Sequence, residues 1–420
     1  MFHGKEVVST ALPRQRERVM VLGAGLQGAC AALVAAQRNH SVCLIEQAPR
    51  CLDRASLRNE GKIHLGHVYA HDAGFKTADL MLRSALSFAP LLERWIPDQL
   101  DWPALRTTPF TYIITHDTLV PSSGLFEHYA RVEARCRELQ SADADLHYLG
   151  ERLDWLWREE RPPQGLDPAF AAGAVATPEV SIDLVRFRQI IAEALARDPR
   201  IELLYGHAVE ELTRVSHGFS AAGRTADGRR WVRDAGCVVN ALWDGRLEID
   251  AQMGLMPTRP WVHRLKHRVI GRTPAALAGL PSMTFVLGAF GDVVTRPDDD
   301  SLYLSWYPAC QTGWSQELKP PHGWGPALNG TLGKSEQAAI IQGTLAAFDQ
   351  IIPGLGQTQD AVADGGVIFS WGDSNIEDRE SELHQRHRIG ISGGDGYFSI
   401  DTGKLTSAPY FAEQLGALLP

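Results

Sequence analysis

The chain has 420 residues, 44% of them hydrophobic, and a formal net charge of −9 at pH 7. This length exceeds one typical domain and predicts two domains or one interleaved pair. The acidic balance, without a basic stripe, argues against a nucleic-acid-binding protein, and no apolar run reaches the roughly 20 residues of a membrane span.

The six cysteines lie at positions 30, 43, 51, 136, 237 and 310 and form no C-x-x-C pair. We therefore expect reduced, buried thiols in a cytoplasmic protein rather than a disulfide framework. Residues 1–18 are polar and lack the apolar core of a secretory signal. They predict a loose polar leader.

A glycine-rich stretch follows the leader. Residues 19–22 predict a buried strand, which runs directly into Gly23-x-Gly25-x-x-Gly28, and small apolar residues at helical spacing come next. Strand, tight turn and helix in this order form a dinucleotide-binding fingerprint. The first glycine makes the turn, the second lets the backbone approach a pyrophosphate, and the third lets helix and strand pack closely. The N–H groups at the start of the helix then face the phosphates.

An acid completes the fingerprint. The second predicted strand, residues 41–46, ends in Glu46, close to the spacing of about 20 residues that the fingerprint requires. A carboxylate there accepts hydrogen bonds from ribose hydroxyls and disfavours a 2′-phosphate. We predict adenine dinucleotide binding, with Leu26, Gln27 and Gln47 as further contacts. The alternative is a glycine-rich turn in another kind of α/β protein.

Residues 55–70 are neither helix-periodic nor alternating, and they mix small residues with hydrogen-bonding ones, as a ligand-lining segment would. An amphipathic helix over residues 76–95 follows. The segment reads Ser-x-x-Asn-x-Gly-x-Ile-His-x-Gly-x-x-Tyr from Ser56 to Tyr69. It resembles the flavin loop of the D-amino-acid oxidase superfamily of FAD-dependent oxidoreductases, and within it the L-2-hydroxyglutarate and glycerol-3-phosphate dehydrogenase branch. The resemblance implies FAD as cofactor, contacts to FAD from Ser56, Asn59 and Gly61, and a position near the flavin ring for His64.

Residues 98–175 are richer in tryptophan and proline and predict a strand at 109–115 and a helix at 126–139. A helix over residues 184–196 and strands at 201–205 and 236–241 then return to the α/β pattern. Val209 matches the superfamily position whose backbone contacts the adenine. Relatives continue the last strand with Ala-Gly-x-Trp, whereas this chain has Leu242-Trp243-Asp244-Gly245. We therefore expect a backbone contact at Ala241 rather than a side-chain role for Trp243.

Residues 255–360 predict an antiparallel sheet, with a turn at 297–300 and a closing helix at 335–351. Arg264, Lys266 and Arg268 alternate along one strand. Superfamily substrates usually carry a carboxylate or phosphate, which arginine binds well. Arg264, Arg268 and Tyr303 are therefore candidate substrate-binding residues, and residues 371–379 a candidate site wall. The alternatives are a solvated basic face for the arginines and a core position for the tyrosine.

The C-terminal segment returns to the cofactor. A strand over residues 388–398 enters a glycine-rich turn, and residues 402–409 open the last helix. The resemblance implies that this helix points its N-terminus at the flavin, where Lys404 adds charge that stabilises the anionic reduced form. Arg388, just before the turn, is a further catalytic candidate. The remaining cofactor candidates here are Gly394, Gly396, Gly403 and Leu405.

The predicted fold is α/β, with a Rossmann-like FAD-binding domain interleaved with a substrate-binding domain built on a mixed or antiparallel sheet with helices. We assign residues 1–97, 176–254 and 361–420 to the FAD-binding domain. The substrate-binding domain takes residues 98–175 and 255–360.

A flavin performs the redox step itself, and the protein supplies orientation and electrostatics. No metal is therefore required; His263 and His267 lie on one predicted strand and lack a third ligand. His64 is the candidate general base or the site of a covalent flavin link, and the alternative is a loop histidine hydrogen-bonded to backbone.

The predicted function is an FAD-dependent oxidase or dehydrogenase that takes hydride from a CH–NH or CH–OH carbon of a small polar, carboxylate-bearing metabolite or biosynthetic intermediate. O2 is a candidate electron acceptor. Two alternatives stay open. An NAD-dependent dehydrogenase leaves the C-terminal glycine turn unexplained, and a flavin-binding protein without turnover is compatible with every motif.

Overall fold

A computed structural model of the chain describes residues 18–288, 291–296 and 298–420. The predicted leader up to residue 17 and Pro297 of the predicted turn lie outside the described residues. The strands within those ranges are β1 (Arg18–Leu22), β2 (Ser41–Glu46), β3 (Phe110–Thr115), β4 (Arg158–Glu160), β5 (Ala171–Ala176), β6 (Ile201–Tyr205), β7 (His207–Val215), β8 (Gly218–Thr225), β9 (Arg230–Ala235), β10 (Cys237–Asn240), β11 (Trp261–Arg272), β12 (Ser282–Val286), β13 (Gly291–Arg296), β14 (Ser301–Trp306), β15 (Gln311–Ser315), β16 (Gln359–Trp371), β17 (Gly390–Gly394) and β18 (Tyr397–Asp401).

The α-helices of the same ranges are α1 (Leu26–Gln37), α2 (Lys76–Trp95), α3 (Trp102–Leu105), α4 (Ser122–Ala142), α5 (Leu184–Arg197), α6 (Arg246–Gln252), α7 (Tyr307–Cys310), α8 (Gly325–Leu328), α9 (Lys334–Ile351) and α10 (Ala408–Gly416). Short 3₁₀ helices include His67–Tyr69, Trp243–Gly245 and Leu405–Ser407. None of the helices in these ranges is long and apolar enough to cross a membrane.

The first sheet has the strand order β17-β18-β10-β1-β2-β6 and is parallel except for β17. Successive residues of β1 point to opposite faces. Val19 and Val21 enter a core that includes α1, α2 and α10, whereas Met20 and Leu22 enter a core shared with the three-stranded sheet β7-β8-β9. Both faces are covered, which explains why these strands read as continuous apolar runs.

The second sheet is mixed. Its order is β15-β11-β14-β13-β12-β3-β5-β4, and β16 also pairs with β11. The β12–β3 pair is parallel and the other pairs are antiparallel. Helix α9 contributes Ile340, Phe348 and Ile351 to the core of this sheet. A parallel sheet of Rossmann type next to a mixed sheet confirms the predicted fold class.

Strand β16 changes one predicted boundary. We predicted that the chain returns to the cofactor domain at residue 361, but β16 pairs with β11 from Arg272–Gln359 to Trp261–Trp371. Because β11 pairs with β16 along nearly its whole length, β16 continues past residue 361. The segment that belongs to the second sheet therefore ends at Trp371. We keep the division into two interleaved domains as a proposal, with this boundary at Trp371.

The C-terminal glycine turn also has a different form. We predicted one strand over residues 388–398, but the chain forms an antiparallel hairpin of β17 and β18. Asp395 and Gly396 make its turn with positive φ angles of 50° and 83°. Gly394 and Gly396 thus serve a hairpin, and the segment that enters the last helix begins after Asp401.

Candidate active site

A cavity of about 650 Å³ is lined by residues of both large sheets and of the segments that link them. It brings together most of the sequence-predicted site residues. Those that line it are Gly23, Gly25, Leu26, Gln27, Glu46, Gln47, Ser56, Asn59, His64, Val209, Ala241, Arg264, Tyr303, Gly403, Lys404 and Leu405.

The glycine turn leaves no room for side chains. Gly23 has a φ of +92°, and a Cβ there would lie 2.8 Å from the carbonyl oxygen of Ala241. A Cβ on Gly28 would lie 1.8 Å from the carbonyl oxygen of Gly23. Gly25 precedes α1 without a side-chain cap, and the Leu26 N–H donates to the Ser56 hydroxyl at 3.0 Å. The helix start is thus exposed to the cavity beside a bare backbone, which fits a pyrophosphate.

Glu46 lies at the carboxyl end of β2 and is 9% exposed. Its carboxylate accepts hydrogen bonds from the Ala24 N–H at 2.7 Å and the Ala48 N–H at 2.8 Å. Burial raises the pKa of Glu46, and these two N–H groups oppose the rise. Val209, which follows the first residues of β7, lines the cavity as well. The carboxylate is therefore anchored where ribose hydroxyls of a dinucleotide can donate to it.

The segment over residues 55–70 is shaped by its own hydrogen bonds. The Asn59 amide donates to the Ala55 carbonyl at 2.7 Å and accepts from the Gly61 N–H at 2.7 Å. Gly61 has a φ of +76°, and a Cβ there would lie 2.6 Å from the Ile182 carbonyl oxygen. Gly61 therefore packs on Ile182, outside the residues that line the cavity in the described part of the chain.

His64 is held by its backbone, and its ring lies between two carboxylates. Its N–H donates to the Thr406 hydroxyl at 2.9 Å, and the residue is 4% exposed. Its Nε2 lies 3.7 Å from Oε1 of Glu60, and its Nδ1 lies 3.9 Å from Oε1 of Glu179. Within the described residues neither ring nitrogen has a hydrogen-bond partner. Two buried, unpaired nitrogens facing a cavity are poised for a ligand.

Burial lowers the pKa of His64, and the charge of Lys404 lowers it further, while Glu60 and Glu179 act in the opposite direction. The imidazole is therefore neutral near pH 7 and able to accept a proton. The two carboxylates would stabilise the imidazolium that forms. This combination suits a general base.

Glu179 is a site residue that the sequence analysis missed. It is fully buried, accepts a hydrogen bond from the Leu65 N–H at 2.6 Å and another from the Tyr112 hydroxyl. His67 Nδ1 lies 3.6 Å from it. Burial raises the pKa of Glu179, but the close contact with His67 and the nearby positive charges outweigh this and hold the pKa of Glu179 below its usual range. The only sign of Glu179 in the sequence was a single acidic residue in a largely apolar stretch ahead of α5.

Three basic side chains named in or next to the sequence-predicted site also line the cavity. Arg264 donates to the Ser370 hydroxyl at 2.6 Å and to the Ser374 carbonyl at 2.7 Å, so the predicted site wall holds it. Lys266 Nζ lies 4.2 Å from the centre of the Tyr307 ring. Burial lowers the pKa of Lys404 to about 8.

Of the sequence-predicted site residues, Gly28 and five others do not line the cavity in the described part of the chain. Gly61 was placed above, and Gly394 and Gly396 belong to the hairpin. Arg268 instead pairs with Asp364 at 2.6 Å and donates to the Leu57 carbonyl. Arg388 is exposed, and its carbonyl accepts from Arg259 at 2.5 Å. Each of these side chains or turns has another partner or faces solvent in the described residues, so their direct contacts to cofactor or substrate stay predictions.

Lys62 and Asp292 were also missed. The Lys62 ammonium lies 2.7 Å from the Asp292 carboxylate, and both line the cavity. Thr284 donates to the same carboxylate at 2.8 Å. Within the described ranges no group of three or more histidine, cysteine, aspartate or glutamate side chains is placed to hold a metal.

Comparison with known proteins supports the cofactor assignment. The family model described as FAD dependent oxidoreductase, DAO, matches residues 18–374. No curated protein matches the chain.

Solved structures share the fold. Glycine oxidase from Geobacillus kaustophilus has 15% identity and a TM-score of 0.65, and the match covers 96% of this chain and 95% of that one. L-proline dehydrogenase from P. horikoshii has 15% identity and a TM-score of 0.62, and the match covers 96% of this chain and 93% of that one. Iminodiacetate oxidase from Chelativorans sp. BNC1 has 16% identity and a TM-score of 0.62, and the match covers 96% of this chain and 95% of that one.

Gly28→Ala should abolish dinucleotide binding, because the new Cβ overlaps the backbone of the phosphate-binding turn. We expect the FAD released per folded polypeptide to fall at least about tenfold, since overpacking of this kind costs about 1–3 kcal/mol or more. Released FAD is measured by absorbance and folding by circular dichroism.

Gly343→Ala is the matched control, because Gly343 lies in α9 with open space around its Cβ position. It should retain full FAD content. Normal FAD content in folded Gly28→Ala would contradict the assignment of this turn.

Proposed function

The chain belongs to the DAO family of FAD-dependent oxidoreductases, and we propose that it takes hydride from a CH–NH or CH–OH carbon of a small polar, carboxylate-bearing metabolite or biosynthetic intermediate. The observation that carries this proposal is the position of His64. Its buried ring, whose nitrogens make no hydrogen bond within the described residues, shares one cavity with the phosphate-binding turn and Glu46. A proton acceptor next to a flavin is what oxidation of such a carbon requires.

Bound FAD supplies the two-electron acceptor. The chain would hold it with the turn of Gly23 and Gly25, the carboxylate of Glu46 and the backbone near Val209. His64 would accept the proton of the substrate hydroxyl or ammonium at a ring nitrogen, and Glu60 and Glu179 would stabilise the resulting charge. Thr406 fixes the loop that carries His64 through its bond to the backbone N–H.

Lys404 and Lys266 would orient the substrate by binding its carboxylate. Both line the cavity near Glu60 and His64. Both residues are partly buried, and partly buried ammonium groups bind a carboxylate more strongly than fully exposed ones. The carboxylate would therefore fix which carbon lies next to His64.

Amino acids and their N-substituted forms are the first substrates to examine. The names of the similar structures refer to glycine, L-proline and iminodiacetate, and these support a CH–NH substrate here. O2 is the proposed electron acceptor. All six cysteines are free and buried, in keeping with the reducing cytoplasm, which we propose as the compartment.

The purified protein should show the visible absorbance of a flavin. Under anaerobic conditions that band should bleach with one class among amino acids, amines and hydroxy acids. Colour that stays with the denatured polypeptide would reveal a covalent link. A folded sample without a flavin band, and with no gain on adding FAD, would contradict the cofactor, whereas a stable band with every substrate class would favour a flavin-binding protein without turnover.

His64→Ala should slow anaerobic bleaching at least about tenfold, because removal of a general base costs about 10²–10⁴-fold and solvent can replace part of it. The rate is measured by stopped-flow absorbance at saturating substrate. His217→Ala is the control, because His217 is an exposed turn residue and should keep the wild-type rate. An unchanged bleaching rate in His64→Ala would indicate that His64 has a structural rather than a catalytic role.

Binding of an inert carboxylate such as acetate should weaken as the pH rises through about 8, the pKa of Lys404. Lys404 is charged below that pH and neutral above it, so its attraction for the anion disappears on the alkaline side. The Kd is read from the perturbation of the flavin spectrum between pH 6.5 and about 9.5.

Lys404→Met should weaken acetate binding at pH 7 and remove the step near pH 8. Lys334→Met changes an exposed lysine at the start of α9 and should leave the profile intact. A wild-type Kd that does not change over this range would show that Lys404 is not the binding cation.

A further inference from the structure

The cations of the cavity fall into two groups. In the first group each cation has an acidic partner within ion-pair distance. The pairs are Arg54–Asp244 at 2.9 Å, Arg58–Asp364 at 3.2 Å, Lys62–Asp292 at 2.7 Å and Lys319–Glu248 at 2.9 Å. These side chains are neutralised by the protein itself and leave little charge for a ligand.

The second group is Arg264, Lys266, Arg386 and Lys404. All four line the cavity, and over the described ranges none of them has a carboxylate within ion-pair distance. Arg264 is 1% exposed, and its Nε is buried without a hydrogen-bond partner among the described residues. Its other nitrogens donate to neutral oxygens, and its guanidinium lies 4.7 Å from the centre of the Trp314 ring. Arg386 donates only to the Leu383 carbonyl, at 3.3 Å.

These four charges act on one another. Arg386 lowers the pKa of Arg264 and of Lys404, in each case in addition to the larger effect of burial. Lys266 also acts on Lys404, whereas Glu60 opposes these effects. Lys266 and Lys404 share Glu60 and Asp292 as acidic neighbours, and Asp292 is already paired with Lys62. Arg264 and Arg386 form the other pair. Glu377 also acts on Arg264, but it is exposed and lies outside the described lining of the cavity.

Four cations without an ion-pair partner, with Glu60 as the acidic side chain of the lining next to the two lysines, leave a surplus of positive charge in this part of the cavity. Such a surplus is costly unless an anion compensates it. A single substrate carboxylate compensates one charge, and an anionic reduced flavin compensates a second. One cation is then left without a counter-charge. Because the Nε of Arg264 is buried without a hydrogen-bond partner in the described residues, we expect that counter-charge beside Arg264.

We propose that the substrate is a doubly anionic amino or hydroxy acid, an inference that rests on the function proposed above. One acidic group would be bound by Lys266 and Lys404. The second, a carboxylate or a phosphate, would be bound by Arg264 and Arg386. Guanidinium groups bind both kinds of anion through paired N–H donors, so the chemistry shared by the two is a group with two or more charged oxygens.

The experiment compares inert anions of similar length on the FAD-loaded protein. Succinate and 3-phosphonopropionate carry two acidic groups, and butyrate carries one. Binding is measured by perturbation of the flavin spectrum and, independently, by the shift in Tm. We expect at least one dianion to bind about tenfold or more tightly than butyrate, and the better of the two identifies the second group as carboxylate or phosphate.

Three variants locate the effect. Arg386→Gln should remove the preference for the dianion while changing the butyrate Kd less than about twofold. Arg386→Lys should retain only part of the preference, because the charge stays but the paired N–H donors are lost. Arg272→Gln removes an arginine from the same strand as Arg264, but at an exposed position paired with Asp360. It should behave as the wild type.

Equal binding of dianions and butyrate, or no binding of either dianion, overturns the inference. So does an Arg386→Gln variant that weakens butyrate and the dianions by the same factor. These results leave the proposed function standing if monoanionic amino or hydroxy acids bleach the flavin. Failure of every substrate class to bleach it would contradict the function instead.

Discussion

The close approach of α1 to the turn at Gly23 is the contact on which the rest of the structure depends. The Cβ positions of Gly23 and Gly28 are filled by backbone atoms of Ala241 and of Gly23 itself. Helix α1, strand β1 and the end of β10 therefore meet without intervening side chains. This contact exposes the start of α1 to the cavity, and it also fixes β10, on which the C-terminal strand is aligned.

A buried polar network links the end of β10 to the C-terminal segment. Asp250 of α6 accepts hydrogen bonds from Asn240 on β10 at 3.0 Å and from Tyr397 and Ser399 on β18 at 2.7 and 2.8 Å. The charge of Asp250 is balanced by Arg246 at 2.9 Å. Since β18 leads directly to Lys404 and Thr406, the network helps to place the groups that contact the loop of His64.

The electrostatics of the site follow from which charges are paired. His64 stays neutral because burial outweighs two nearby carboxylates, whereas Lys62 keeps an acidic partner in Asp292. The same burial that favours a neutral imidazole makes the unpaired Arg264 a strong anion binder. Proton acceptance and anion binding thus have one physical origin, which is the burial of these side chains against a cavity lined by both sheets.

The sequence by itself determined the features whose geometry is encoded over a short stretch. Gly23, Gly25, Gly28 and Glu46 specify strand, turn, helix and acid within one βαβ unit, so this unit could be recognised from spacing. The loop of His64 follows closely and was recognised by its resemblance to the flavin loop of the D-amino-acid oxidase superfamily. Only the tertiary structure decided the charges of the site. Lys62 and Asp292 are 230 residues apart in sequence, Glu179 approaches His64 from another segment, and Arg268 is bound by Asp364 instead of facing the cavity. Whether a charged side chain is free for a ligand depends on which distant partner the fold brings to it, and residue type and local periodicity do not carry that information.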